Sequence, residues 1–387
     1  MHPILITCPL EMPRLLAAEV EALGLPIVAM HKAGVETQGT LEDCMRLNLW
    51  LRTAHRVLLR LHEWTATTPD AMYAGVKSVE WERWIDPDGY VSIVSSVKTP
   101  SIDNSLFANV KCKDAVVDRI RDKTGRRPDS GSSNDYAVLY LYWHADIAMI
   151  YVDTSGTSLS DRGYRLNPHK APMRETLAAA VILSMQWEPG TFFVNPMCGS
   201  GTLGIEAALI GINRAPGLTR KNFGFMHVQP YDPNVFEAMV KEARSKERKS
   251  KSPFVLCSDN DRRAIEATRE NAKAAGVLHL IETGVCDFTE TPIPPAPGAI
   301  VLNPEYGMRL GNVSTLIDVY ADIGDFFKQK CKGYWAYIFT GNIELVKHVG
   351  LAAKKRTVLY SADLECRLFE YEIYDGSRRP PKAVSEA

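Results

Sequence analysis

The chain has 387 residues, of which 45% are hydrophobic and 24% charged, with a formal net charge of −1 at pH 7. That length suits two or three domains of about 100–200 residues each. The near-neutral balance excludes attraction of the whole molecule to a polyanion, so any nucleic-acid surface has to be a local patch.

Eight cysteines are scattered without a C-x-x-C pair or neighbouring histidines, which argues against a zinc site and against a disulfide framework. The N-terminus lacks a basic start followed by a long apolar core, and no uninterrupted apolar run reaches about 18 residues. Neither a signal peptide nor a membrane span is expected, and a reducing cytoplasm is the expected setting.

In chain order, "ILITC" reads as a strand, "EMPRLLAAEVEALG" as a helix closed by Gly24, "LEDCMRLNLWLRTA" as a second helix and "HRVLLRLHEW" as a strand. A second α+β block follows. Its helix "DAMYAGVKSV", strand "GYVSIVSSV", long helix "NSLFANVKCKDAVVDRIRDKTG" and two strands in "YAVLYLYWHADIAMIYVDTS" end near "SGTSLSDRGYR". From "KAPMRETLAAAVILSM" onward, helices alternate with the apolar strands "TFFVN", "FVLCSD", "LIETGV", "AIVLNP", "YWAYIFTG", "TVLYS" and "CRLFEYEIY". Such alternation predicts a mostly parallel sheet covered on both faces. The last two strands, joined by "SADLE", suit an antiparallel hairpin at one edge. The tail at 377–387 reads as disordered.

"FVNPMCGSGTLGIEAALIG" (193–211) reads as strand, turn and helix. Gly199, Gly201 and Gly204 fit G-x-G-x-x-G, but a dinucleotide site also wants an acidic residue about 20 positions on to hold the ribose. Here the first candidate, Asp259, lies much further along. The other reading places Asp259 at the carboxyl end of the next strand, where its carboxylate accepts both ribose hydroxyls, and Asp287 of "GVCDF" at another strand end, accepting from an adenine amino group. A further strand delivers Asn303-Pro304-Glu305-Tyr306. Glycine turn, acid, acid and N-P-x-Y then converge on one crevice.

This constellation is similar to that of S-adenosylmethionine-dependent methyltransferases. "KAPMRETLAAAVIL", "NPMCGSGTLGIEAA" and "NPEYGMRLG" resemble the bacterial family that methylates guanine N2 in 23S ribosomal RNA, and "YVDTSGTSLSDRGYR" resembles the end of the THUMP domain these enzymes carry upstream. The resemblance implies an α/β architecture: a Rossmann-like class I methyltransferase domain over 165–376, preceded by an α+β ferredoxin-like region over 1–63 and a THUMP unit over 64–164. It implies S-adenosyl-L-methionine as cofactor, with Asn195, Cys198, Gly199, Gly201 and Thr202 lining its methionine and ribose portion, Asp259 on the ribose, Asp287 on the adenine, and Glu175 and Thr176 toward the methionine end. Many relatives carry a second, fused methyltransferase; this chain is expected to be too short to hold that second one. RNA is the implied partner, ribosomal in preference to transfer RNA, with no metal and no membrane.

An exocyclic amino nitrogen is a poor nucleophile because its lone pair is delocalised into the ring. If the Asn303 side-chain oxygen and the Pro304 carbonyl each accept one N–H, the nitrogen is pinned toward the methyl donor and its developing positive charge is stabilised. Tyr306 would stack on the base, which has to be flipped out of any helix. The family's N-P-P-Y here has Glu305 at the third position. That glutamate faces solvent, assists the amine, or marks a chain that binds RNA without methylating it.

Blander readings stand beside these. Asp259 suits a helix cap, although Asp261 suits it better; Asp287 suits an ordinary turn; Cys198 suits a packed thiol rather than a nucleophile. The basic helix carrying Lys111, Lys113, Lys123, Arg126 and Arg127 is either a solvated face interleaved with Asp114, Asp118 and Asp122 or a phosphate-contacting one. The run Lys241 to Lys251 divides the same way.

Overall fold

The computed structural model describes residues 1–102, 104–168, 172–250, 252–306 and 313–374. The tail at 377–387 and Lys251 lie outside them. Two compact units emerge: Met1–Arg165 with Arg174–Ala180 and Ile212–Lys249, and Leu166–Met173 with Val181–Gly211 and Ser250–Ala387.

The first unit runs β1 (His2–Thr7), α1 (Pro13–Ala22), β2 (Ala29–His31), β3 (Gly34–Gly39), α2 (Leu41–Trp50), β4 (Arg56–Thr65), α3 (Pro69–Ser78), β5 (Tyr90–Lys98), α4 (Ser105–Thr124), β6 (Asp129–Gly131), β7 (Ala137–His144) and β8 (Ile147–Asp153). Local chemistry sets the helix ends. Thr40 and Asp43 cap α2 reciprocally, with the Asp43 amide donating to Thr40 Oγ1 at 3.3 Å and the Thr40 amide to Asp43 Oδ2 at 2.8 Å. Asn104 caps α4, and Gly125 ends it at a φ of 72°.

The sequence predicts two small α+β units here, and the structure merges them into one eight-stranded sheet, ordered β2-β3-β1-β4-β8-β7-β5-β6. The seam is β4 against β8, antiparallel from Leu58↔Asp153 to Thr65↔Ile147. Pairing of strands 90 residues apart leaves no periodic trace, which is why the merger is invisible in the sequence. The short strands β2, β3 and β6 were likewise not anticipated.

Beyond β8 come α5 (Glu175–Leu183), β9 (Phe192–Pro196) and α6 (Thr202–Gly211). Both helices are apolar all round, as expected of elements buried on every side. Ile212–Lys249 then belongs to the first unit rather than to the parallel sheet that flanks it in sequence. Its Arg220 guanidinium donates to the carbonyls of Ser155, Thr157, Ser158 and Asp161 at 2.7–3.2 Å, and its helix α7 (Pro233–Ser245) starts on an Asp232 cap.

The second unit continues with β10 (Val255–Asp259), α8 (Arg262–Ala274), β11 (Ile281–Val285), β12 (Gly298–Leu302), α9 (Val313–Lys330), β13 (Tyr334–Thr340), α10 (Ile343–Val346), β14 (Lys355–Ser361) and β15 (Leu364–Glu372). Its sheet order is β11-β10-β9-β12-β13-β15-β14. The first five strands are parallel, and β15 runs antiparallel to both neighbours. Strand order reverses between β9 and β12, so a crevice opens at their carboxyl ends. Val194, Ile300, Leu302 and Ile338 pack with Tyr320, Ile323 and Phe327 of α9 beneath it.

Candidate active site

The turn from β9 into α6 is built around backbone that side chains resist. Met197, Gly199 and Gly201 have φ of 56°, 57° and 81°. A Cβ on Gly201 would lie 2.7 Å from Thr268 Cγ2 of α8, whereas one on Gly199 would meet nothing within 4 Å. Gly201 is therefore required by the fold, and Gly199 leaves an open approach to backbone. Gly204 serves packing, since a Cβ there would lie 2.3 Å from the Cys257 sulfur on β10.

Asp259 ends β10 and organises the turn. Its Oδ2 accepts from the Gly199 amide at 2.9 Å and its Oδ1 from the Asp261 amide at 3.0 Å. Asp261 caps α8, accepting from the Arg263 amide at 2.9 Å, so the cap and the strand-end acid are separate residues. Asn195, fully buried on β9, spans the reversal point by donating from Nδ2 to the Val301 carbonyl of β12 at 2.9 Å. Its Oδ1 is buried with no hydrogen-bond partner among the described residues. A buried acceptor left open is costly unless a donor arrives.

Thr202 is the buried first residue of α6. Cys198 packs against Thr268 Oγ1 at 3.6 Å, and the neighbouring Cys257 thiol together with burial pushes its own thiol well above the usual range. It is a packed sulfur, held mostly as the thiol. Two α8 residues that sequence reasoning missed hold the turn from below: Thr268 Oγ1 donates to the Gly199 carbonyl at 2.9 Å and Asn271 Nδ2 to the Ser200 carbonyl at 3.1 Å. Two buried polar residues three apart on an amphipathic helix were the available signal.

Asp287, next along from β11, is exposed. Its Oδ1 accepts from the Thr289 amide and hydroxyl at 2.9 and 2.6 Å, so the ordinary-turn reading holds at least for that oxygen. Glu175 and Thr176 open α5 within the first unit, both buried; Arg165 donates to Glu175 at 3.1 Å, and Thr176 Oγ1 has no partner among the described residues. The structure thus gathers Asn195, Cys198, Gly199, Gly201, Thr202 and Asp259 at one end of the parallel sheet.

After β12 come half-buried Asn303, buried Pro304, exposed Glu305 and half-buried Tyr306. Glu305 makes no hydrogen bond or ion pair among the described residues. Tyr306 does something the sequence did not anticipate: its hydroxyl donates to Asn303 Oδ1 at 2.5 Å. Burial holds that phenol far above its usual pKa, so it remains a donor. The acceptor suited to an exocyclic amine is therefore occupied by the tyrosine expected to stack on the base.

On α4 and the residues just past its end, local acids answer much of the basic charge. Lys111 pairs with Asp70 at 2.6 Å, Lys113 with Asp114 at 2.5 Å and Arg126 with Asp88. Lys123 and Arg127 are exposed and have no ion pair among the described residues. Among the described residues no cluster of three His, Cys, Asp or Glu could hold a metal, and no helix is long and apolar enough to cross a membrane.

A parallel sheet whose order reverses beside a glycine turn, with polar groups at successive strand ends, defines a Rossmann-like nucleotide-binding unit. Residues 162–370 match the RMKL-like methyltransferase domain, residues 3–58 the RlmL ferredoxin-like domain and residues 66–153 the THUMP domain. The chain belongs to the RMKL-like methyltransferase family.

It is 39% identical over 98% of its length to a Syntrophotalea carbinolica protein named ribosomal RNA large subunit methyltransferase K/L, of which it covers 55%. This chain spans about half the length of the first K/L relatives it matches. A Synechocystis sp. relative, provisionally named an RNA methyltransferase, is 32% identical over 96% of this chain and 97% of that protein. The crystal structure of SMU.472, provisionally a methyltransferase and complexed with SAH, superposes with a TM-score of 0.88 at 27% identity, covering 97% of this chain and 99% of that one.

Proposed function

We propose that this chain transfers a methyl group from S-adenosylmethionine to the exocyclic N2 of a guanine in large-subunit ribosomal RNA, an activity that would be exercised in the cytoplasm. The observation that carries the reading is the buried, unpartnered Asn195 Oδ1 beside an open glycine turn, with Asn303 two residues past Val301, its partner strand's contact. The relatives' names and the SAH in SMU.472 support the cofactor and substrate class.

Asn195 would accept a donor from the cofactor, Gly199 and Gly201 would let it lie against the backbone, and Asp259 would accept its ribose hydroxyls. The bound cofactor supplies an electrophilic methyl. Asn303 Oδ1 and the Pro304 carbonyl accept the two N–H bonds of the guanine amine, fixing the nitrogen and stabilising its growing positive charge. For that, the Tyr306 hydroxyl leaves Asn303, and the freed ring becomes available to stack on the base.

Calorimetric titration with S-adenosylmethionine, with Asp259→Ala as control, tests the cofactor half. Methylation of unmodified ribosomal and transfer RNA followed by nucleoside mass spectrometry tests the rest. N2-methylguanosine in ribosomal RNA is expected. The same product in transfer RNA alone would move the substrate, and no methylated nucleoside despite cofactor binding would overturn the reading in favour of a non-catalytic RNA binder.

A further inference from the structure

Tyr306 is tied to its surroundings twice, by different parts of the residue. Its hydroxyl meets Asn303, and its main-chain carbonyl accepts from Asn342 Nδ2 at 3.2 Å. Asn342 sits just past β13. Its Oδ1 accepts from the Leu345 amide at 3.3 Å, capping α10, and its own amide donates to Thr340 Oγ1 at 3.0 Å. Thr340 is fully buried and paired at 2.8 Å with the equally buried Tyr320 hydroxyl on α9. The orientation of the Asn342 side chain is settled by these partners, because exchanging its oxygen and nitrogen would set donor against donor at Leu345 and acceptor against acceptor at Tyr306.

We infer that Asn342 is a positioning residue for methyl transfer: it anchors the main chain of the Asn303-Pro304-Glu305-Tyr306 loop to the core and leaves the Tyr306 ring free to trade its hydrogen bond for substrate. The inference rests on the proposed role of that loop. A loop tethered only through the tyrosine hydroxyl would lose its register whenever substrate displaced that hydroxyl. With the carbonyl held from β13, Asn303 and Pro304 stay in place while the ring moves, and a misplacement of about 1 Å at such a site costs up to about 100-fold in rate.

Asn342→Asp separates anchoring from capping, since aspartate keeps the oxygen that caps Leu345 but presents an acceptor to the Tyr306 carbonyl. Cys366 reports on the loop without any activity, because it is fully buried on β15 two residues from Leu364, whose side chain and the Tyr306 ring both flank Gly341. In Asn342→Asp, iodoacetamide labelling of Cys366, followed on its peptide by mass spectrometry, should accelerate about fivefold, the effect of one net hydrogen bond. Labelling of Cys331, fully buried in the same unit, should not change. The kcat for RNA methylation should fall about tenfold with both KM values and the melting temperature unchanged. Asn342→Ala should add a lower melting temperature by losing the cap.

Unchanged Cys366 labelling overturns the anchor. Faster labelling with wild-type kcat overturns the positioning role. If the wild-type protein methylates no RNA, the functional reading fails on its own, and the labelling still decides whether Asn342 holds the loop.

Discussion

The two loops that meet at the sheet reversal differ in how their polar groups are satisfied. The glycine turn is held from outside, by Asp259, Thr268 and Asn271, and beside it Asn195 Oδ1 is left open. The N-P-E-Y loop is held from outside too, at the Tyr306 carbonyl by Asn342, but its side chains satisfy each other, its own tyrosine filling the acceptor of its own asparagine. A rigid cradle with a free acceptor is preorganised for a ligand; a loop that closes on itself has to exchange one hydrogen bond for another. On the proposed function, cofactor binding should therefore need little rearrangement, and target binding should require a tyrosine to move.

The strongest way to break this contrast is Asn303→Ala. It should lower kcat by about 10²–10³-fold, as removal of a transition-state hydrogen-bonding group does, while calorimetry finds cofactor affinity within about twofold of wild type. Full activity in this variant would end the amine-pinning mechanism. Asp259→Ala should do the reverse, weakening cofactor binding by about 10–100-fold, in line with about 1.5–3 kcal/mol for a hydrogen bond to a charged group.

The glycines sharpen the comparison within the rigid turn itself. Gly201→Ala combines a φ of 81° with a clash on Thr268, so thermal unfolding should show a loss of about 2–4 kcal/mol. Gly199→Ala meets open space, and its stability should fall by only about 1–2 kcal/mol even as cofactor affinity drops. Smaller again, Tyr306→Phe frees Asn303 and should change kcat by less than about tenfold; its KM for RNA should not rise if the hydroxyl only plugs the site. Smallest is the exposed pair at the end of α4, Lys123 within it and Arg127 just beyond: reversing both should flatten the slope of log K against log salt by about 1–2, and an unchanged slope would leave this end of α4 a solvated face.

Much of this was readable before any coordinates. Asp261 was legible as the α8 cap because capping chemistry is local, and the strand ends carrying Asn195, Asp259 and Asn303 follow from short apolar runs closed by polar residues. The grip of α8 on the glycine turn was not legible, since Thr268 and Asn271 act on residues some 70 positions away in the chain. The packing of Ile212–Lys249 was not legible for a similar reason. Its sequence lies between two strands of the parallel sheet, but Arg220 finds its carbonyls in the 155–161 segment.

By itself the sequence determined what depends on neighbours within a few residues: helix caps, the left-handed glycine turn, the alternation that yields a parallel sheet, and the motif order that points to a methyltransferase. Tertiary structure alone decided the pairing of β4 with β8, the open oxygen of Asn195, and the occupation of Asn303 by Tyr306. Those outcomes depend on which distant polar groups arrive at hydrogen-bond distance, and on which are left over once every closer partner is taken.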